Sequence, residues 1–193
     1  MKKLLQKIKH LYYCGLTLIS PTVNTKQRFK SVYGRKINLK QPETFNEKGM
    51  YLKLNRYNKD PKVADCADKY TVRKYIKQCG CPEILNNLIA VYDKVSDIDF
   101  EALPNEFVIK WNVGCGYNLI CPDKSKLDIE KAKKQLKKWG RKKYHLHFSE
   151  MQYKGREKKL LVEEFLHPEH GSLPEDYKIY CFGGRAEYVM LCL

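Results

Sequence analysis

The stretch from Phe107 to Ile120 constrains the fold more than any other segment, because it combines an alternating strand, a glycine-containing turn and a second apolar strand. Successive side chains of a strand point to opposite faces, so Lys110 lies opposite the large apolar residues of its strand. Gly114 and Gly116 have no Cβ, and their loop can bring backbone N–H groups close to an anion. The pattern predicts either a phosphate-binding hairpin or an ordinary hairpin with a solvated lysine.

The composition describes a folded chain with a strong positive charge. Hydrophobic residues make up 43% of the 193 positions and aromatic residues 12%, which excludes a disordered chain. There are 37 lysines and arginines against 22 acidic residues, a net charge of +15. Such a charge attracts nucleotides, acidic polysaccharide, anionic lipid and nucleic acid without distinguishing among them. Composition therefore predicts an anionic partner of unspecified kind.

The eight cysteines are scattered among apolar neighbours and contain no CxxC pair. This arrangement predicts reduced thiols in the core and a cytoplasmic location. The pairs Cys79-x-Cys81 and His145-x-His147 are too closely spaced to resemble a structural zinc site. No metal ligands are predicted from these residues.

The first twenty residues combine lysines with a short apolar run. The run is shorter than the roughly 20 residues that span a bilayer, and it lacks a small-residue cleavage site. Leu4, Ile8, Leu11, Gly15 and Ile19 recur at helical spacing. The predicted helix has two interpretations: its stripe packs on the core of the protein, or it lies on an anionic membrane surface.

The following segments predict a mixture of helices and strands. Residues 20–42 contain two prolines and a glycine among basic residues and are interpreted as an irregular basic arm. The pattern from Thr44 to Glu47 is that of a capping box, which starts a helix reaching about Leu54. A second helix is predicted from Pro61 to Gly80 and contains Asp68-Lys69.

The second half of the chain is predicted to be rich in strands. Residues 88–92 form an apolar run typical of a buried strand, and 160–166 form another. Between them, Asp128 can cap a helix that ends at Gly140, with lysines on its solvated face. A hairpin over residues 176–191 turns at Gly183-Gly184.

These motifs, taken in order, resemble the TupA-like ATP-grasp family. The resemblance covers about residues 35–193 and depends on five segments: 44–48, 68–70 with 72–73, 99–104, the Lys110 loop and 176–178. Members of this family are associated with bacterial cell-surface and capsular polysaccharides and with teichuronopeptide. The resemblance implies an α+β fold: a basic N-terminal helix and arm (1–34), a helical and mixed subdomain (35–106), and an antiparallel-sheet ATP-binding subdomain (107–193).

The resemblance also implies contacts to the phosphates of ATP. Lys69 would reach the nucleotide from the first subdomain, and Lys110 would contact the phosphates from the strand below the loop. Gly114, Gly116 and Asn118 would form a flap over the β- and γ-phosphates.

Five further residues would contact the remainder of the nucleotide by the same resemblance. Glu163, Glu164 and Leu166 would lie along the adenine edge, mostly through their backbone groups. Asp176 would accept hydrogen bonds from the ribose hydroxyls, and Lys178 would face the phosphates.

The family reaction would be carboxylate-amine ligation through an acylphosphate, with ATP and Mg²⁺ as cofactors and an acidic sugar or polysaccharide precursor as substrate. The metal-binding carboxylates are expected on strands beyond Leu193, so the C-terminal part is expected to be missing and the chain inactive alone. No catalytic residues are assigned. Three alternatives stay open. One is a glycosyltransferase-type polysaccharide protein, and another is a basic nucleic-acid-binding module, although no RNP, KH or zinc-finger pattern occurs. The third is a membrane-surface scaffold for polysaccharide assembly that uses the helix of residues 1–20 and the basic arm.

Overall fold

The computed structural model describes residues 2–168 and 174–192 and shows an α+β protein, as predicted. The helices are α1 (Lys2–Ile19), α2 (Pro21–Tyr33), α3 (Phe45–Leu52), α4 (Pro61–Ala67), α5 (Val72–Gln78), α6 (Ile129–Gly140) and α7 (Tyr144–Phe148). The strands are β1 (Leu88–Tyr92), β2 (Phe107–Trp111), β3 (Asn118–Cys121), β4 (Leu160–Glu164), β5 (Asp176–Phe182) and β6 (Arg185–Cys192).

The main sheet is antiparallel and has the strand order β1-β4-β2-β3. One face of β2 is fully buried and packs with Leu136 of α6, Leu160 and Val162 in the core. The Trp111 indole N–H donates to the carbonyl oxygen of Leu136 at 3.1 Å, so the sheet and α6 share a polar contact as well as an apolar one. The predicted hairpin and the orientation of its apolar face are confirmed.

The capping box at the start of α3 is also confirmed. Thr44 Oγ1 accepts from the Glu47 backbone N–H at 3.3 Å, and Glu47 Oε2 accepts from the Thr44 backbone N–H at 3.2 Å. Glu47 is buried and additionally accepts from the Arg35 guanidinium at 2.6 Å. The Glu47 carboxylate therefore caps the first turn of α3 and also holds the preceding loop.

Residues 20–42 form an irregular arm only in part: 35–42 lie outside the helices and strands, but the prediction was wrong for 21–33. They contain α2, which begins after the cap Ser20 with Pro21 in its first turn. It ends at Gly34, whose φ of 69° and N–H donating to the Lys30 carbonyl are those of a left-handed C-cap. The proline and glycine that suggested irregularity are start and stop signals of a helix.

The single helix predicted from Pro61 to Gly80 is interrupted. Helix α4 ends at Ala67 and α5 begins at Val72, because Asp68 leaves the helical conformation with φ −87° and ψ 119°. Its carboxylate accepts from the backbone N–H groups of Tyr70 at 2.8 Å and Thr71 at 3.3 Å. An aspartate that binds neighbouring backbone groups in this way competes with the helix.

Two predictions about burial were also wrong. The eight cysteines are free thiols, but Cys121 alone among them is buried. Strand β1 lies at the edge of the sheet and is only partly covered. Apolar neighbours in sequence therefore did not identify the residues of the core.

The apolar stripe of α1 faces away from the protein, so it does not pack on the core. Leu4, Leu11 and Leu18 are exposed, whereas Tyr13 and Thr17 on the opposite side are buried. Helix α1 packs on α2 and α7 with this second side.

The predicted C-terminal hairpin is present and forms a separate two-stranded sheet from β5 and β6. It contacts α3, where Phe45 lies 6.3 Å from the ring of Tyr180 and 6.2 Å from that of Phe182. Strand β1 of the predicted first subdomain pairs with β4 of the second. The boundary at residue 107 stays a prediction.

Candidate functional site

The centre of the candidate site is an ion pair on the face of the main sheet opposite the core. Lys110 Nζ lies 2.6 Å from Glu163 Oε2. The other carboxylate oxygen of Glu163 lies 3.7 Å from Arg73 Nη1 of α5. Two cations thus share one buried carboxylate, and the pair of strands β2 and β4 is connected to α5.

Lys69 lies close to this ion pair and holds the glycine loop. Its amine donates to the carbonyl oxygens of Trp111 at 3.3 Å and Gly114 at 2.5 Å. Its backbone N–H donates to the Asn112 carbonyl at 3.0 Å. Burial lowers the pKa of Lys69, and the nearby positive charge of Lys110 lowers it further. The two lysines that sequence reasoning selected are therefore electrostatically coupled.

The glycine loop needs glycine at its first position for two reasons. Gly114 has a φ of 82°, which L side chains rarely adopt, and a Cβ there would lie 2.6 Å from Cδ2 of Tyr144. Gly116 has a φ of 74° but open space around it. The Tyr144 hydroxyl donates to Sγ of Cys115 at 3.1 Å, so the loop rests on α7.

A buried polar network fixes the end of β2 beneath the loop. Asn112 Nδ2 donates to Asp68 Oδ2 at 2.8 Å, and Asn112 Oδ1 accepts from the backbone N–H of Lys159 at 2.9 Å. Arg156 Nε donates to the same oxygen of Asp68 at 3.3 Å. This network positions Lys69, the next residue after Asp68.

Sequence reasoning gave no role to Asn112, Arg73 or Arg156. Asn112 and Arg73 lie within the selected motifs, close in sequence to Lys110 and to Asp68-Lys69. This proximity could have indicated that they belong to the site. Arg156 offered none, because it lies 88 residues from Asp68 in the chain.

The residues predicted for adenine lie at the end of β4. A cavity of about 420 Å³ there is lined by Glu164, Phe165, His167, a residue of β1 and residues of two neighbouring loops. The backbone of Glu164 is already engaged, because its N–H donates to the Asn87 carbonyl and its carbonyl accepts from Asn86 Nδ2, both at 3.0 Å. Leu166 follows the strand and is exposed.

The other residues predicted to contact the nucleotide lie in two separate parts of the structure. Asn118 pairs with Lys110 across β2 and β3. Asp176 and Lys178 form an ion pair with each other in the separate hairpin, and Lys178 also contacts Sγ of Cys192 at 3.1 Å. Among the ion pairs and hydrogen bonds of residues 2–168 and 174–192, none joins this pair to Lys69 or Lys110.

A larger open cavity, of about 1210 Å³, lies beside α4 and α5. Its lining includes Lys62, Arg73, Lys74 and Lys77, with Asp65 as an acidic exception. Because Arg73 also contacts Glu163, the basic cavity adjoins the Lys110 ion pair. Sequence reasoning did not select this surface.

One group of side chains has the composition of a metal site. Single ligand atoms of His10, Cys14 and His147 lie within 4.8 Å of one another. However, Arg28 Nη2 lies 3.1 Å from Nε2 of His147, and burial together with this guanidinium lowers the pKa of His147 to about 4. A fixed cation in contact with a ligand disfavours a divalent ion. We therefore assign no metal to this group.

Comparison with known protein families gives a match over most of the chain. The family model described as TupA-like ATPgrasp matches residues 48–193, a range that contains Lys69, Lys110, the glycine loop and both hairpins. No curated protein and no solved structure matches the chain.

Proposed function

This chain belongs to the TupA-like ATP-grasp family, and we propose that it binds ATP with its phosphates at Lys69, Lys110 and the glycine loop. The observation that supports the proposal best is the Lys110–Glu163 pair of 2.6 Å next to Lys69. Three cations and one carboxylate meet there, so the local charge favours a polyanion.

In this proposal the triphosphate replaces contacts within the protein. Lys110 turns from Glu163 toward a phosphate oxygen, while Arg73 keeps the carboxylate neutralised. The N–H groups of the loop approach the phosphates because Gly116 has open space around its Cα. Asn118, opposite Lys110, borders the same loop.

The adenine is proposed to lie in the cavity at the end of β4. Glu164 lines this cavity, and Glu163 precedes it in the strand. Leu166, two residues beyond Glu164, is exposed and is proposed to offer an apolar side chain to the purine ring. Asp176 is proposed to accept from the ribose hydroxyls and Lys178 to face the phosphates. To do so, both would have to leave the ion pair that they form with each other.

The proposed reaction is ligation of a carboxylate to an amine. A carboxylate oxygen attacks the γ-phosphorus of ATP and releases ADP, and the amine nitrogen then attacks the acylphosphate carbon, loses a proton and releases phosphate. The protein would contribute position and charge stabilisation. The acidic sugar or polysaccharide precursor is proposed to occupy the basic cavity lined by Lys62, Lys74 and Lys77. The proposal places the protein in the cytoplasm.

The described residues around Lys110 do not form a magnesium site. Mg²⁺ requires oxygen ligands in near-octahedral geometry. Glu163 is shared by Lys110 and Arg73, and Asp68 is held by Asn112 and Arg156. Both carboxylates are occupied, so no magnesium ligand is assigned and no step is derived through the ion.

The test is calorimetric titration of the chain with ATP. We expect saturable binding that Lys110→Ala weakens by at least about tenfold, because a charge-assisted contact contributes about 1.5–3 kcal/mol. Lys137→Ala is the matched control, since Lys137 is exposed on α6. Absence of binding by the unmodified chain, or equal affinity of the Lys110 and Lys137 variants, would overturn the proposal.

A further inference from the structure

Helix α1 presents a continuous apolar surface to its surroundings. Seven large side chains of this helix are between 48% and 77% exposed: Leu4, Leu5, Ile8, Leu11, Tyr12, Leu18 and Ile19. At about 100° per residue they fall within a single arc of about 140°. We call these seven residues the outer face of α1.

The side of α1 that packs on the protein makes buried polar contacts. Asn24 of α2 donates through Nδ2 to the Tyr13 carbonyl at 2.6 Å and to Thr17 Oγ1 at 2.7 Å. Thr17 Oγ1 donates to the Leu146 carbonyl at 2.6 Å. A surface helix of a globular protein normally turns its apolar stripe inward, and α1 does the opposite.

The buried hydrogen bonds also fix this orientation. Asn24 and Thr17 are fully or almost fully buried, so a rotation of α1 about its axis would leave their polar atoms without partners. Unpaired buried polar groups cost about 1–3 kcal/mol each. The outer face is therefore held outward by the packing of the opposite side.

The charges around the outer face all have the same sign. Residues 1–42 contain ten lysines and arginines, and the first acidic residue of the chain is Glu43. Lys7 and Lys9 are exposed and fall on the two sides of the apolar arc. Long lysine side chains can extend from such positions to phosphate groups while their methylenes stay in apolar surroundings.

We propose that α1 lies flat in the surface of a bilayer that contains anionic lipid, with its outer face among the acyl chains and Lys7 and Lys9 at the lipid phosphates. Such helices insert about 5–10 Å into the headgroup boundary. No helix of the described residues combines the length and apolar character needed to cross a bilayer. The inference does not depend on nucleotide binding.

The occupant is a lipid surface because of charge complementarity. A second copy of this chain would bring another set of cations without acidic partners against the first, since residues 1–42 contain no acidic side chain. Anionic lipid instead satisfies the apolar arc and the lysines together.

The experiment is flotation of the full chain with vesicles of phosphatidylcholine alone or mixed with phosphatidylglycerol. We expect binding to the mixed vesicles and at least about tenfold weaker binding of Leu11→Ser/Leu18→Ser, because each exchange removes a large apolar side chain from the lipid. Lys7→Glu/Lys9→Glu should lose binding to a similar extent. The matched control is Ile84→Ser/Val189→Ser, two residues that are exposed elsewhere.

The results that would contradict the proposal can be distinguished from one another. Equal binding to both kinds of vesicle, or binding unaffected by the Leu11 and Leu18 exchanges, would overturn the proposal. A dimer in light scattering that dissociates in Leu11→Ser/Leu18→Ser, without vesicle binding, would show that a second copy covers the outer face. ATP affinity should be unchanged in all of these variants, which separates this test from that of the nucleotide site.

Discussion

Lys110 and Glu163 form an ion pair of 2.6 Å that joins the two central strands of the main sheet on the face opposite its core. The pair is diagonal, because the backbone of Lys110 lies opposite Leu161 in the register of β2 and β4. Glu163 also lies 3.7 Å from Arg73, so the carboxylate connects the sheet to α5. The proposed nucleotide site and the stability of the main sheet therefore share one carboxylate.

Replacing Glu163 by glutamine should destabilise the protein by about 1.5–3 kcal/mol, because two cations lose their common anion. The free energy of unfolding in urea measures the effect. Glu130→Gln is the control, since Glu130 pairs with Lys133 on the exposed surface of α6 at 3.2 Å. Surface pairs contribute about 0–1 kcal/mol. Equal losses in the two variants would contradict the role of the central pair.

Alanine substitutions of the two loop glycines should lower the free energy of unfolding by different amounts. Gly116→Ala should cost about 1–2 kcal/mol from the positive φ alone. Gly114→Ala should cost about 1–3 kcal/mol more, because its Cβ would lie 2.6 Å from the ring of Tyr144. Urea unfolding of both variants provides the comparison. Tyr144→Ala in the Gly114→Ala background should recover part of the difference, and no recovery would argue against the clash.

Asn112→Ala should lower the free energy of unfolding by about 2–4 kcal/mol, because it removes three hydrogen bonds and leaves Asp68 buried with one partner fewer. Asn55 is the control, because its exposed side chain donates a single bond to the Tyr51 carbonyl at 2.9 Å. Chemical denaturation of Asn112→Ala and Asn55→Ala tests the difference, and comparable values would exclude a structural role for the network.

Glu47 should make stability depend on pH in the acid range. Its hydrogen bonds, above all that from Arg35, lower its pKa from about 4.5 to about 2. A carboxyl with a lowered pKa stabilises the folded state above its ordinary value, and this contribution disappears as the pH falls from about 4.5 to about 2. Melting temperatures of the unmodified protein and Glu47→Gln should therefore converge over this interval. Parallel curves would contradict the assignment.

The sequence predicted those structural elements that are determined by residues close together in the chain. The Thr44–Glu47 capping box and the β2–β3 hairpin depend on residues a few positions apart, and both were found. The break at Asp68 was not found and the orientation of α1 was left open, since both depend on distant partners. Asp68 contacts Asn112, 44 positions away, and Thr17 contacts Leu146, 129 positions away.

The same distinction applies to the residues of the candidate site. The resemblance assigned Lys69 and Lys110 to one nucleotide, and the structure brings Lys110 close enough for its charge to lower the pKa of Lys69. Their contacts with ATP stay a prediction. Arg73 and the basic cavity beside α5 were missed, since the sequence does not indicate how far α5 approaches β4. Asp176 and Lys178 stay predictions, because their hairpin packs on Phe45 instead.

Lys69 donates its amine to the carbonyl of Trp111, which precedes the glycine loop, and to that of Gly114 within the loop. If ATP binds this amine, its hydrogen bonds to the Trp111 and Gly114 carbonyls must break first, so the loop must open before the phosphates bind. The observed rate of association would then level off at high ATP concentration, because opening of the loop replaces diffusion as the slowest step.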